Sequence, residues 1–227
     1  MIEYQKLTNK KVIEAAKDLY YLLNRGYTRK FSISVVSNRY GLSKQEQMII
    51  YRSIYPEDVV RQIKEKEISD MHLKGKFLAI DWYNMLVTVN SAITNKPIYM
   101  GNDGFIRDTR GLHGRVEAME NVYETVSIIL TSLSKLTLEG IKIYLEKNIS
   151  YSGEMKKELE NFIQSYNFKH VSIILTSTVD KDLLENQLVA TNDSVILLKA
   201  KRIFNLTKYI LEKIPIKVTV YVIPLDS

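Results

Sequence analysis

Apolar residues recur at helical spacing through the first third of the chain, then give way to short unbroken runs. Val12, Ala15, Ala16, Leu19, Tyr20, Leu22 and Leu23 follow a cap at Leu7-Thr8-Asn9 and stop at Gly26, which predicts a first helix. Phe31, Ile33, Val35 and Val36 predict a second helix, from about Lys30 to Tyr40. Ser43 and Glu46 form a capping-box pattern for a third helix carrying Met48, Ile49, Ile50 and Ile54. Pro56 breaks that helix and opens a fourth, Glu57 to about Ile68. Residues 1–73 therefore read as an all-helical module, and Ser32 to Ile54 has the outline of a helix-turn-helix.

From Lys74 the rhythm alternates strand and helix. Phe77 to Ile80, Ile141 to Leu145, His170 to Leu175, Leu188 to Ala190 and Ile216 to Ile223 read as strands. Helices are expected at about Glu117 to Leu133, Gly153 to Tyr166, Asp180 to Glu185 and Ser194 to Lys213. This alternation predicts an α/β domain over 74–227, with a mostly parallel five-stranded sheet covered by helices on both faces. The last strand alternates Val218, Val220 and Val222 with Thr219 and Tyr221, as an edge strand does. Between Ile93 and Gly114 a glycine-rich segment reads as a hairpin and loop.

Composition narrows the chemistry. There is no cysteine, which excludes disulfides, thiolate metal sites and cysteine nucleophiles. A polar, charged start and the lack of a long apolar run predict a soluble, cytoplasmic protein with no membrane partner. The net charge of +6 mildly favours polyanions. No Walker loop, GxGxxG or His-Glu-x-x-His motif occurs.

Acids stand where strands should end. Asp81 follows Phe77-Leu-Ala-Ile80 and precedes Trp82, Met85, Leu86 and Val89 at helical spacing. Asp180 follows the run ending at Val179, and Asp193 follows Val189-Ala-Thr-Asn. In a parallel sheet all strand C-termini share one edge, so these acids are expected to converge. Converging carboxylates repel, and an all-oxygen set suits Mg²⁺ or Mn²⁺. Each acid also suits a helix N-cap, and both readings stand at this point.

The stretch Ile-Asp81-Trp-Tyr-Asn84-Met-Leu resembles the opening motif of PIN-like and NYN ribonuclease domains. Thr191-Asn-Asp193-Ser resembles their late Thr-Asn-Asp motif, and Asp180 their third-motif acid. Across nearly its full length the chain also resembles an archaeal and bacterial family called domain of unknown function 434. That likeness is carried by Arg25-Gly-Tyr27, Asn102-Asp-Gly-Phe-Ile-Arg107-Asp108, Gly111-Leu-His113-Gly and Ser150-Tyr-Ser-Gly153. The PIN-like resemblance implies a metal-dependent ribonuclease. Asp81, Asp180 and Asp193 would hold Mg or Mn, Asn84 would orient the first acid, and Glu120 is favoured as the acid on the following helix.

Trp82 departs from the pattern and offers a base-stacking platform. Arg107 and Arg110 either bind phosphate or pair with Asp103 and Asp108. His113 is a further loop contact, and Lys44 and Arg52 are expected to meet nucleic acid from the third helix. RNA is the expected partner, with DNA and a second copy of the chain as further candidates. Two alternatives stand beside hydrolysis of RNA: a catalytically silent nucleic-acid-binding or scaffold protein on the same fold, and a phosphatase-like enzyme acting on a small substrate.

Overall fold

The computed structural model describes residues 1–109 and 119–225. Two four-stranded sheets organise it. One, which we call the parallel sheet, has the order β6-β5-β2-β7, formed by Val171–Thr176, Gly140–Glu146, Phe77–Asp81 and Val189–Ala190. All its pairs are parallel. The other, mixed sheet has the order β1-β8-β3-β4, formed by Ile2–Lys6, Val218–Val222, Ile98–Met100 and Ile106–Asp108. Only its β3–β4 pair is antiparallel.

The single five-stranded sheet expected from the sequence is thus two sheets, and the chain does not begin with a helix. Residues 2–6 form a strand that pairs in parallel with β8, residue Ile2 beside Val218. That pairing also moves β8 from the expected edge to the interior of its sheet, between β1 and β3.

Helix α5, Trp82–Ile93, lies between the sheets, and this explains its sequence. Ten of its residues are buried on every side, the pattern of a helix with no solvent face. Leu78, Ile80, Ile141 and Ile143 from the parallel sheet and Ile98, Val218 and Val220 from the mixed sheet share one core with it. That core also holds residues of α6 (Val122–Ser134), α7 (Ser152–Ile163) and α10 (Leu206–Lys213). Strand alternation sends the next residues, Ala79 and Tyr144, to the other face. There they meet Val179 and Leu183 of α8 (Val179–Leu184), Ile196 and Leu197 of α9 (Ser194–Lys199), and Ile63 of α4 (Glu57–Lys66).

The first three helices pack on the outer face of the mixed sheet. They are α1 (Lys10–Asn24), α2 (Arg29–Tyr40) and α3 (Lys44–Ser53), and their core takes in Tyr99 and Ile223. Their ends follow the sequence signals. Asn9 accepts from Val12 N, Gly41 takes the left-handed conformation at φ 56°, and both halves of the Ser43/Glu46 capping box form. The long helix expected over 194–213 is two. Between α9 and α10, Ile203 bridges to Val189 and Glu67 and breaks the helical path.

Candidate active site

Numbered by their own order along the chain, the strands of the parallel sheet run third, second, first, fourth. The chain winds outward from β2 in one direction, then returns to its other side as β7. In an open α/β sheet this reversal leaves a crevice at the carboxyl edge, between the first strand and the fourth. The residues there are Asp81, which ends β2, and Thr191-Asn192-Asp193, which follows β7. Ile80 pairs with Ala190, so the register carries Thr191 alongside Asp81.

Asp81 is 5% exposed. Asn84 Nδ2 donates to its Oδ2 at 2.6 Å, and Thr191 Oγ1 donates to the same oxygen at 2.7 Å. The other oxygen, Oδ1, has no donor among the described residues. Asp81 does not cap α5 through its side chain. Burial pushes its carboxyl up to about 6; the two hydrogen bonds pull the other way, and the charges of Asp193 and Asp180 add to the rise. Asp180, exposed at the start of α8, is also raised. The causes are desolvation first, then Asp193 and Glu146, with Lys199 opposing.

Glu146, the last residue of β5, belongs to this set and was missed from the sequence. Its signal was the same as that of Asp81: an acid ending an apolar strand. Each strand of this edge is thus ended or followed by a carboxylate: Asp81 and Glu146 end β2 and β5, Asp193 follows β7, and Asp180 lies in the first turn of α8 after β6. Asp193 has a second role, since its Oδ1 accepts from Val195 N at 2.7 Å and caps α9. Among the described residues, no three His, Asp or Glu side chains are gathered closely enough to hold a metal ion. The donor chemistry suits a hard divalent cation, but the acids stand apart as an electrostatic group.

The Thr-Asn-Asp segment divides its work. Thr191 holds Asp81 and Asp193 caps a helix. Asn192 fixes the segment in place: its Nδ2 donates to Thr207 Oγ1 at 3.0 Å, and Thr207 Oγ1 lies 3.1 Å from Asn192 Oδ1. Its backbone carbonyl accepts from Arg107 Nε at 2.6 Å.

Of the two roles the sequence left open for Arg107, the structure shows the pairing with Asp103 and not an exposed phosphate contact. Arg107 is 5% exposed, and its donors face inward. Nη1 and Nη2 grip the fully buried Asp103 at 2.9 and 2.5 Å. The guanidinium also lies 5.0 Å from the centroid of the Tyr55 ring. Burial alone would lower its pKa, but Tyr55 and Asp103 raise it. Gly101 makes room for the pair: a Cβ there would sit 2.6 Å from Asp103 Oδ1 and 2.8 Å from Arg107 Nη1. Asn102 anchors the same turn to the helical module. It accepts from Tyr55 N at 2.9 Å and donates to Tyr55 O at 2.7 Å.

Three further expectations change. Trp82 is fully buried and carries an indole nitrogen without a partner, so it offers no face to a base. Arg52 reaches inward, donating to Asp108 O at 2.9 Å, and so ties α3 to β4. Glu120 is exposed at the far end of α5, where its carboxylate is 4.0 Å from Lys96 and its backbone carbonyl accepts from Asn90. Asn90 is nine residues beyond Asp81, roughly 13 Å along a helix, so Glu120 does not join the acids. Lys44 is exposed at the start of α3. Arg110, His113 and Glu117 lie outside the described residues. A cavity of about 1220 Å³, lined by Lys76, Phe77, Lys142, Leu188 and Arg202 among others, opens at the opposite edge, by the strand N-termini, away from the acids.

Among known proteins, the chain is similar to "Uncharacterized protein MJ0935" of Methanocaldococcus jannaschii. The two are 29% identical over 186 residues, which is 82% of this chain and 88% of the relative. No solved structure matches it. The likeness to the family "Protein of unknown function (DUF434)" covers residues 11–66, the helical part, rather than the nearly full length expected from the sequence. The rest, residues 70–209 with the whole acid edge, matches a second family, and the chain belongs to it: "Domain of unknown function (DUF5616)".

Proposed function

We propose that the carboxyl edge of the parallel sheet makes this chain a Mg²⁺- or Mn²⁺-dependent ribonuclease with a PIN-like α/β domain. One observation carries the reading. A buried carboxylate, Asp81, lies at the topological switch point and has two further acids close enough to raise its pKa. Perturbation by burial and like charge, at the place where such sheets bind ligands, is the signature of a candidate functional site. Asp81, Asp180 and Asp193 are the residues that would hold the ion, with Glu146 as a fourth donor. When bound, it would supply an activated water and neutralise charge on a phosphoryl group. The protein's own contribution is to orient Asp81 through Asn84 and Thr191, and to fix the Asp193 segment through Asn192 and Arg107. The acids would have to draw together on cation binding.

That last requirement favours a second reading. Because no metal-holding group of three exists among the described residues, a catalytically silent nucleic-acid-binding protein on the same fold fits the open arrangement directly. Cleavage of labelled single-stranded RNA with Mn²⁺ separates the two. The ribonuclease reading expects turnover by the wild-type chain that EDTA abolishes, and loss of at least a hundredfold in Asp81→Asn and Asp193→Asn. No cleavage across varied RNAs, with metal binding demonstrated, would assign the silent role.

A further inference from the structure

From Leu19 to Gln45 the chain runs 27 residues without an acid, and it carries five cations there: Arg25, Arg29, Lys30, Arg39 and Lys44. This stretch forms the end of α1, the corner after it, all of α2 and the first residues of α3, where Lys44 lies. The corner is also where rings face solvent. Tyr21, Tyr27 and Phe31 are 58%, 51% and 51% exposed. The cause is local. Ile33 and Val36 of α2 turn to the core, which leaves Phe31 and Val35 on the outer face. Tyr27 N bonds to Leu22 O, folding the corner back over the end of α1. The Tyr27 and Phe31 rings then stack, with centroids 5.7 Å apart and 21° between their planes. Arg25 lies over the Tyr21 ring at 5.1 Å, and Lys30 is exposed.

An exposed ring costs hydration and is rare in such concentration unless something covers it. The charge says what. The cations Arg25 and Lys30 are exposed beside the rings, which matches a polyanion, and a membrane surface calls for more aliphatic bulk than Val35. Glu57 reaches the end of α1 through Tyr20 and Asn24, Asp18 answers Arg39, and Arg29 is held by Tyr51 and Ile54. This leaves Arg25 and Lys30 as the cations beside the exposed rings. Rings flanked by such cations suit a strand whose phosphates meet the charges while its bases stack. We propose that the α1–α2 corner is a binding surface for single-stranded nucleic acid. Tyr27 and Phe31 offer the stacking face, and Arg25 and Lys30 meet phosphates. It rests on residues other than Lys44 and Arg52, and it does not depend on the acids being active.

The test is fluorescence anisotropy of the full chain with fluorescein-labelled twelve-nucleotide oligouridine and oligothymidine. EDTA is present throughout, so no strand is cut and failure of the hydrolysis reading leaves the result readable. Tyr27→Ala with Phe31→Ala should weaken binding at least tenfold. Arg25→Glu with Lys30→Glu should do the same and flatten the salt dependence, by roughly 0.7 in log–log slope per cation lost. If alanine loosens the module, Tyr27→Leu with Phe31→Leu keeps apolar bulk while removing the rings, and the same loss is expected. Binding of either oligonucleotide with these losses supports the surface. Wild-type protein that binds neither strand, variants that bind as wild type does, or capture by phosphatidylserine vesicles without oligonucleotide binding would each overturn it.

Discussion

Thr191 Oγ1 donates to Asp81 Oδ2 at 2.7 Å across 110 positions of sequence. The bond joins the first strand of the parallel sheet to the segment after its fourth. It partly offsets the cost of a carboxylate in a site that burial and two neighbouring acids make hostile to negative charge.

That hostility should be visible in stability against pH. The Asp81 carboxyl is raised from 3.8 to about 6. Between those values the folded chain keeps a proton that the unfolded chain has released, so stability falls as pH rises through the window. The loss is at most about 3 kcal/mol, at about 1.36 kcal/mol per pKa unit. Asp81→Asn keeps an oxygen for both hydrogen bonds and has no charge to desolvate. It should exceed wild type by about 2 kcal/mol at pH 7, with the difference vanishing below pH 4. Urea denaturation at both pH values measures this, and a mutant less stable than wild type at pH 7 contradicts it.

Divalent cations should act on the same group. If Mg²⁺ or Mn²⁺ binds the acid edge, the melting temperature rises with cation concentration by mass action. The rise should shrink in Asp81→Asn and in Glu146→Gln, and EDTA should reverse it. Differential scanning fluorimetry decides this, and equal shifts in wild type and both variants would remove the acids from the binding site.

The Asp103–Arg107 pair is a structural commitment. Arg107→Met leaves Asp103 charged, fully buried and without its bidentate partner, which should cost about 3–5 kcal/mol. Gly101→Ala should destabilise too, because its methyl group would press on both members of the pair. Equilibrium unfolding followed by the single, buried Trp82 reports both. A loss under 1 kcal/mol in Arg107→Met would show the pair to be dispensable.

Removing residues 1–6 should expose one side of β8. The unpaired N–H and C=O groups of that strand would then form a template for other chains. Size-exclusion chromatography should find the truncated protein in higher oligomers, whereas a stable monomer would mean that β1 adds little.

The sequence by itself determined the local elements and the candidate acids, because both rest on short-range physics. Asn9, Gly41 and the Ser43/Glu46 box set helix ends through bonds three or four residues long. Apolar runs at Phe77, Ile141 and Val171 set strands, and Asp81, Asp180 and Asp193 were marked by standing where such runs stop. What only the tertiary structure decided depends on partners distant along the chain. Ile2 to Lys6 is too polar to read as a strand and becomes one because β8 offers it a ladder. Trp82 looked like a ligand contact and Arg107 suited either a phosphate or a neighbouring acid, but packing placed both inside, where a ring fills a core and a guanidinium answers a buried carboxylate. Strand order was invisible for the same reason: pattern gives the direction and burial of a strand but not its neighbour. It is that order, bringing β7 beside β2, that sets Thr191 against Asp81 and makes the crevice.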